Sequence, residues 1–179
     1  LLHDVAAAGD FGWSEDNWIG SLPQSNRPSD SWSGFWITER IEPQLERARR
    51  AGACRADAFD RLLSALPAAL GGVGSPSLLH GDLWSGNAFT SSAGRPVLID
   101  PAVYRGDGEV DLAMTELFGG FAPRFYSSYS EIRPIGSEYR AFRRDAYQLY
   151  YLLVHVNLFG GGYEAGARAA AERVVAALG

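Results

Sequence analysis

Between Asn87 and Asp100 the chain runs through two short β-prone stretches, Asn87-Ala88-Phe89-Thr90 and Pro96-Val97-Leu98-Ile99, separated by Ser91-Ser92-Ala93-Gly94-Arg95. Such runs about a Ser/Gly turn predict an antiparallel hairpin. Much of the remaining chain spaces its apolar residues three and four apart, as amphipathic helices do. A hairpin inside a helical chain constrains the fold strongly, because it brings its two ends together. Asn87 opens one strand and Asp100 follows the other, so antiparallel pairing turns sequence separation into spatial adjacency.

Helices are expected on both sides of this hairpin. Residues 33–50 place Phe35, Trp36, Ile41 and Leu45 roughly on one side, and Pro43 should kink or restart the helix. The run Arg47, Arg49, Arg50 near its end reads as a solvated face. Phe59, Leu62, Leu63, Leu66 and Leu70 form a second amphipathic pattern closed by Gly71-Gly72. A short extended run, Ser77-Leu78-Leu79-His80, then leads toward the hairpin. From about residue 110 the pattern is helical and aromatic-rich. It includes a short helix over 122–130, and a long one over 137–158 with Tyr139, Phe142, Ala146, Leu149, Tyr150 and Leu153 on one face. A last helix follows Gly160-Gly161-Gly162. Residues 1–32, punctuated by Gly9, Gly12, Gly20, Pro23 and Pro28, read as loop, with Trp13, Trp18 and Trp32 expected to pin it to the core. The fold class is mainly α (α+β): one domain over 1–179, helical with a small β-hairpin.

The two ends of that hairpin carry distinctive chemistry. The segment entering it is His80-Gly81-Asp82-Leu83-Trp84-Ser85-Gly86-Asn87, and Ile99-Asp100-Pro101-Ala102 leaves it. An Asp, an Asn five residues later and a second Asp after an apolar strand are the catalytic-side parts of a phosphoryl-transfer site. Asp82 would accept or orient the proton of an attacking hydroxyl, while Asn87 and Asp100 would hold magnesium against nucleotide phosphates. Pro101 should restrict Asp100 to extended conformations. His80 should brace the loop by hydrogen bonds, and Asp111 should cap the helix it precedes. Trp84 offers an aromatic face for sugar CH groups or a cation, or else packs in the core, and the residues leave both open. Glu116 is a candidate buried brace near the same site, which the sequence does not decide. Asp107, Glu109 and Asp111 lack the full ligand ladder of a calcium loop.

Composition narrows the partners. A net charge of −5 excludes an electrostatic footprint for nucleic acid. No run approaches the ~18 apolar residues of a membrane span. The single cysteine, Cys54, excludes an internal disulfide and a Cys-based zinc cage. Without a leader-like segment, a reducing, cytoplasmic setting is expected. All 16 basic residues are Arg. A kinase normally grips the phosphates with a lysine, so that group is expected outside these residues. Met114 is the only methionine. The chain therefore reads as a catalytic lobe lacking its nucleotide-gripping N-terminal lobe, and inactive on its own.

The motifs together resemble the fructosamine kinase (ketosamine-3-kinase) family, within the protein-kinase-like and aminoglycoside-phosphotransferase-like superfamily. The resemblance is carried by Phe11-Gly12-Trp13, Pro23-Gln24-Ser25-Asn26, Arg40 with Pro43-Gln44-Leu45, and the His80–Asn87 and Ile99–Ala102 segments. It continues through Asp111-Leu112-Ala113-Met114-Thr115-Glu116-Leu117-Phe118-Gly119-Gly120-Phe121 and His155-Val156-Asn157-Leu158-Phe159-Gly160. It implies a protein-kinase-like C-terminal lobe and ATP-dependent phosphorylation of the sugar 3-hydroxyl of small or protein-linked ketosamines. The phosphorylated adduct is labile, so such an enzyme acts in deglycation. Under this resemblance Asp82 matches the catalytic base, Asn87 and Asp100 match the magnesium ligands, and Trp84 is a candidate platform for the ketosamine. The same three polar residues would also serve a phosphotransferase acting on aminoglycosides or choline. A non-catalytic, truncated kinase-like binding module is the remaining alternative.

Overall fold

In the computed structural model, which describes residues 2–4 and 9–179, the first sheet lies where the sequence reads as loop. Strands β1 (Asn17–Ile19) and β2 (Leu22–Gln24) pair antiparallel, with Ile19 opposite Leu22. The strands are too short, and β2 too interrupted by Pro23, for a period-two pattern to show. Side-chain hydrogen bonds tether this hairpin to the body of the fold. Asn17 Nδ2 donates to the Val103 carbonyl at 2.7 Å, Gln24 Nε2 to the Ala102 carbonyl at 3.2 Å, and the Tyr150 hydroxyl to Gln24 Oε1 at 2.6 Å. Trp13 and Trp32 do pack on the core, whereas Trp18 is 62% exposed and pins nothing. The loop reading of residues 1 and 5–8 lies outside the described residues.

The expected helix over 33–50 forms in three parts: α1 (Trp32–Phe35), a π-helical turn over Trp36–Ile41, and α2 (Glu42–Arg50). Pro43 has no N–H to offer the Glu39 carbonyl, and in a regular helix its ring would crowd that carbonyl. In the wider turn the Glu42 N–H reaches back to the Ile37 carbonyl instead. The stranded Glu39 carbonyl accepts from Arg40 Nη1 at 3.0 Å. Arg40 is itself buried. It also donates to the Ser25 carbonyl and to Asn26 Oδ1, both at 2.6 Å, and lies 4.0 Å over the Tyr104 ring. Oxygens and a π face thus take the place of water around a buried charge. Farther along α2, Arg49 and Arg50 pair with Asp60 and Glu46 at the surface.

Helix α3 (Asp57–Ala69) buries Phe59, Leu62 and Leu66, as their spacing predicts. Strand β3 (Ser77–Leu79) follows. Strands β4 (Ala88–Thr90) and β5 (Pro96–Leu98) make the expected hairpin, with Ala88 opposite Leu98 and the Ile99 N–H donating to the Asn87 carbonyl at 3.0 Å. Strand β6 (Tyr104–Gly106), which no sequence pattern announces, pairs antiparallel with β3. Among the described residues the chain is mainly helical with three two-stranded antiparallel sheets.

Helices α4 (Glu109–Leu117) and α5 (Pro123–Ile132) lead to a π-helical turn over Tyr139–Arg143, which continues into α6 (Arg144–Phe159) and then α7 (Glu164–Leu178). Every residue of α6 from Asp145 to Val154 is buried, so this helix is enclosed on all sides rather than on the one face expected. It packs against α2, α4 and α7. Two acidic residues near the start of α4 have local work. Asp107 accepts from the Tyr147 hydroxyl at 2.6 Å, and Glu109 binds Arg143 at 2.6 and 2.8 Å. Glu116 accepts from the Tyr139 hydroxyl at 2.9 Å and faces Arg144, so it braces the helix pair instead of the site.

Candidate active site

Strand β3 delivers the chain into a turn held from three directions. The His80 carbonyl accepts from the Ala102 N–H at 2.9 Å, and the Gly81 carbonyl accepts from the Tyr151 hydroxyl at 2.8 Å. Gly81 adopts φ +81°, and a Cβ there would stand 2.1 Å from the Ala102 carbonyl oxygen, so only glycine fits. The third hold corrects the capping role expected of Asp111. This residue lies inside the first turn of α4, while Gly108 occupies the N-cap position. The fully buried Asp111 carboxylate accepts from the His80 N–H at 2.8 Å, the Gly81 N–H at 2.9 Å and His3 Nε2 at 3.0 Å. The turn points two backbone donors into the protein, and buried donors need acceptors.

His80 joins this turn to the far end of the β4–β5 hairpin. Its Nε2 donates to the Ile99 carbonyl at 2.9 Å, which leaves Nδ1 to accept from the Asp82 N–H at 3.3 Å. The bracing expected of His80 is thus observed. The Asp82 carboxyl is pushed above the ordinary carboxylate range, chiefly by burial. The nearby His80 and the hydrogen bond from Asn87 pull the other way. Asn87 Nδ2 donates to the Asp82 carbonyl at 2.9 Å and to Asp82 Oδ2 at 3.3 Å. Its nitrogen is therefore committed, which leaves its oxygen for another partner.

Asp100 is not extended, as Pro101 suggested, but left-handed at φ +51°. A following proline disfavours the right-handed helical region, and Asp is among the few residues that tolerate the left-handed one. The backbone is fixed on both sides, with the Ile99 carbonyl on His80 and the Ala102 N–H on the His80 carbonyl. The chain has to reverse between them, at Asp100. Its exposed carboxylate has no hydrogen-bond partner among the described residues. Among the described residues no group of three or more His, Cys, Asp or Glu side chains gathers as a metal cage. Two hard oxygen donors at adjoining hairpin ends fit magnesium instead, which commonly takes one or two protein oxygens and completes its shell with phosphate and water.

A cleft of about 500 Å³ opens beside Asp82. Its walls include Trp84, Met114, Phe118, Tyr151, His155 and Phe159, and the Ile19-Gly20 tip of the β1–β2 hairpin. Trp84 is 41% exposed and belongs to this wall, not to the core. Its ring lies over Gly86, where a Cβ would stand 2.2 Å away. Sequence reasoning missed Asp111 as a clamp and gave no site role to Tyr151 or His155. Asp111 had a signal, because an acid flanked by Val110 and Leu112-Ala113-Met114 in a helix must find donors. Tyr151 and His155 had none, since the apolar residues of α6 surround them on every side.

A fructosamine kinase family profile matches residues 1–177. A Synechocystis protein named "Probable ketoamine kinase" is 47% identical over 167 residues, covering 91% of this chain and 55% of that protein. The chloroplastic protein-ribulosamine 3-kinase of Oryza sativa subsp. japonica is 42% identical over 160 residues, covering 88% of this chain and 46% of that protein. The crystal structure of a Thermobifida fusca protein provisionally assigned as a fructosamine-3-kinase matches with a TM-score of 0.88 and 37% identity. That match covers 98% of this chain and 62% of the other. The chain therefore spans less than two thirds of the length of each of these relatives. No helix among the described residues is long and apolar enough to cross a membrane.

Proposed function

This chain belongs to the fructosamine kinase family, and on that premise we propose that it carries the base and acceptor cleft of an ATP-dependent ketosamine kinase acting on the sugar 3-hydroxyl. The observation that carries this reading is Asp82, a half-buried carboxylate with a raised pKa at the edge of an aromatic cleft. Asn87 holds the Asp82 carboxylate in place, and the Asp111 clamp fixes the backbone just before it. In the proposed step the sugar hydroxyl oxygen attacks the terminal phosphorus of ATP. A new P–O bond forms, the bond to the bridging oxygen breaks, ADP leaves with that electron pair, and the hydroxyl proton passes to Asp82. A carboxylate with a raised pKa is the better proton acceptor. Magnesium, held by the Asn87 oxygen and the Asp100 carboxylate, would neutralise charge on the phosphates. Positioning by these residues supplies most of the expected rate gain. The 179 residues contain no lysine, so this reading assigns the phosphate-gripping lysine to a separate N-terminal lobe.

The cleft also bears on the rival acceptor. Aminoglycosides are polycations, and a pocket for them calls for several carboxylates. Among the described residues Asp82 is the one carboxylate lining this cleft. The test is phosphorylation of a panel of ketosamines and aminoglycosides with Mg-ATP, read by mass spectrometry, using wild-type protein joined to its N-terminal lobe and its Asp82→Ala variant. Ketosamines should gain one phosphate with wild type only, and Asp82→Ala should leave nucleotide affinity nearly unchanged. Preferential labelling of aminoglycosides, or normal turnover by the variant, would overturn the assignment.

A further inference from the structure

His155 sits on α6 one turn beyond Tyr151, and it lines the same cleft as Asp82. Its Nδ1 lies 2.7 Å from the Tyr151 carbonyl, which can only accept. The proton is therefore on Nδ1, and in the neutral ring Nε2 carries a lone pair. The imidazole is enclosed by aromatic rings: Phe118 at 4.9 Å, Tyr163 at 4.9 Å and Phe159 at 5.4 Å between centroids. Phe118 is 44% and Phe159 68% exposed, although both rings border this cleft. Among the described residues no Arg lines the cleft, and no acid other than Asp82. Beside the Asp82 carboxylate, the site thus pairs the His155 acceptor with several π faces. Its lining offers a carboxylate no cationic partner, only neutral donors such as the Tyr163 hydroxyl and the Trp84 indole N–H.

Resting on the ketosamine reading above, we propose that the cleft selects ketosamines whose amine carrier is apolar. The secondary ammonium would donate to His155 Nε2 and lie against the aromatic faces, with the carrier along Phe118, Phe159 and Leu158. A ketosamine nitrogen is cationic at neutral pH, and both a neutral imidazole and an aromatic face favour a cation. A carrier bearing a carboxylate would lose hydration in this wall and gain no cationic partner to offset that loss. His155 is here a specificity-determining residue, with proton acceptance left to Asp82.

The experiment is calorimetric titration of the protein with two adducts sharing one sugar, N-butyl fructosamine and fructosyl-glycine, without nucleotide. The butyl adduct should bind about tenfold more tightly, the equivalent of roughly 1.4 kcal/mol. His155→Phe keeps the ring packing but removes the acceptor, and should weaken both adducts by about tenfold. His155→Gln, which can restore an acceptor, should recover most of that loss. Melting curves of both variants check that the fold is intact. Equal affinity for the two adducts, no binding of either, or a His155→Phe affinity equal to wild type would each overturn the proposal. Selective binding without phosphorylation would leave this inference standing and overturn the kinase reading instead, so the two failures are distinguishable.

Discussion

The Asp111 carboxylate is the best place to test whether the turn before Asp82 is held from α4. It accepts three hydrogen bonds and is fully buried, so water cannot replace it. Asp111→Asn preserves volume and one acceptor oxygen, but turns an NH2 group toward one of the two backbone donors. One charge-assisted bond, worth about 1.5–3 kcal/mol, is lost, and one buried donor is left unsatisfied. Allowing for overlap between these terms, the variant should lose roughly 2–4 kcal/mol of stability. For a domain of this size that is a drop in Tm of about 5–15 °C. Urea denaturation followed by tryptophan fluorescence gives the free energy, and amide hydrogen exchange at His80 and Gly81 locates the effect. Those two amides should lose protection beyond what the global loss of stability explains. A cost below about 0.5 kcal/mol, or unchanged relative protection at both amides, would refute the clamp. His3→Ala serves as a partner variant: it removes the third bond, whose Nδ1 side accepts from the Tyr129 hydroxyl at 2.8 Å. The coupling between the two substitutions should be measurable, since they share one carboxylate.

Asp82→Asn should raise stability at pH 7 and, on the proposed function, abolish phosphotransfer. Burial raises the pKa of the folded-state carboxyl, so its ionisation disfavours folding. That penalty is absent below the unfolded value of about 3.9 and grows as pH rises through the folded value. The difference in Tm between variant and wild type should therefore shrink on acidification, and a gap that widened would contradict this sign. Gly81→Ala should destabilise severely or prevent folding, because its Cβ would overlap the Ala102 carbonyl; a normal melting curve would refute the geometry. Burial pushes the Cys54 thiol up to about 11. Its labelling by a thiol reagent at pH 8 should consequently track unfolding, and rapid labelling of the folded protein would contradict that burial. Leu62→Ala in the α3 core should cost about 2–5 kcal/mol by urea denaturation.

The parts of the fold legible from sequence are those whose pattern is local. Helices α3 and α7 and the β4–β5 hairpin declare themselves by period or turn chemistry, and the hairpin also explains how Asn87 comes beside the segment carrying Asp100. The extended run Ser77–His80 marks β3, but its partner β6 lies about 25 to 29 positions away and was hidden. The β1–β2 hairpin was hidden because its strands are three residues long, β2 is interrupted by Pro23, and side chains about 80 to 130 positions away tether it. The left-handed Asp100 was misread for a similar reason. Pro101 is a local restriction, but the reversal is imposed by bonds from His80, about twenty residues upstream. Asp82 and Asn87 could be picked out from their spacing. Asp111 could not be assigned, because a carboxylate's capping and clamping roles look alike until the distant donors are known.

The π-helical turn between α1 and α2 makes this part of the chain sensitive to counting. Each residue in a helix advances the direction of its side chain by about 100°. The extra residue accommodated over 36–41 sets the angular offset between Trp32 and Phe35 before it and Leu45 and Ala48 after it, all of which point into the core. Removing one residue there would rotate one group out of phase with the other. Arg40 would then lose its place beneath Tyr104 and its grip on the loop behind the β1–β2 hairpin. Substitution within 32–50 is thus a matter of volume and polarity, whereas a single-residue insertion or deletion acts on the segment as a frame shift acts on a reading frame.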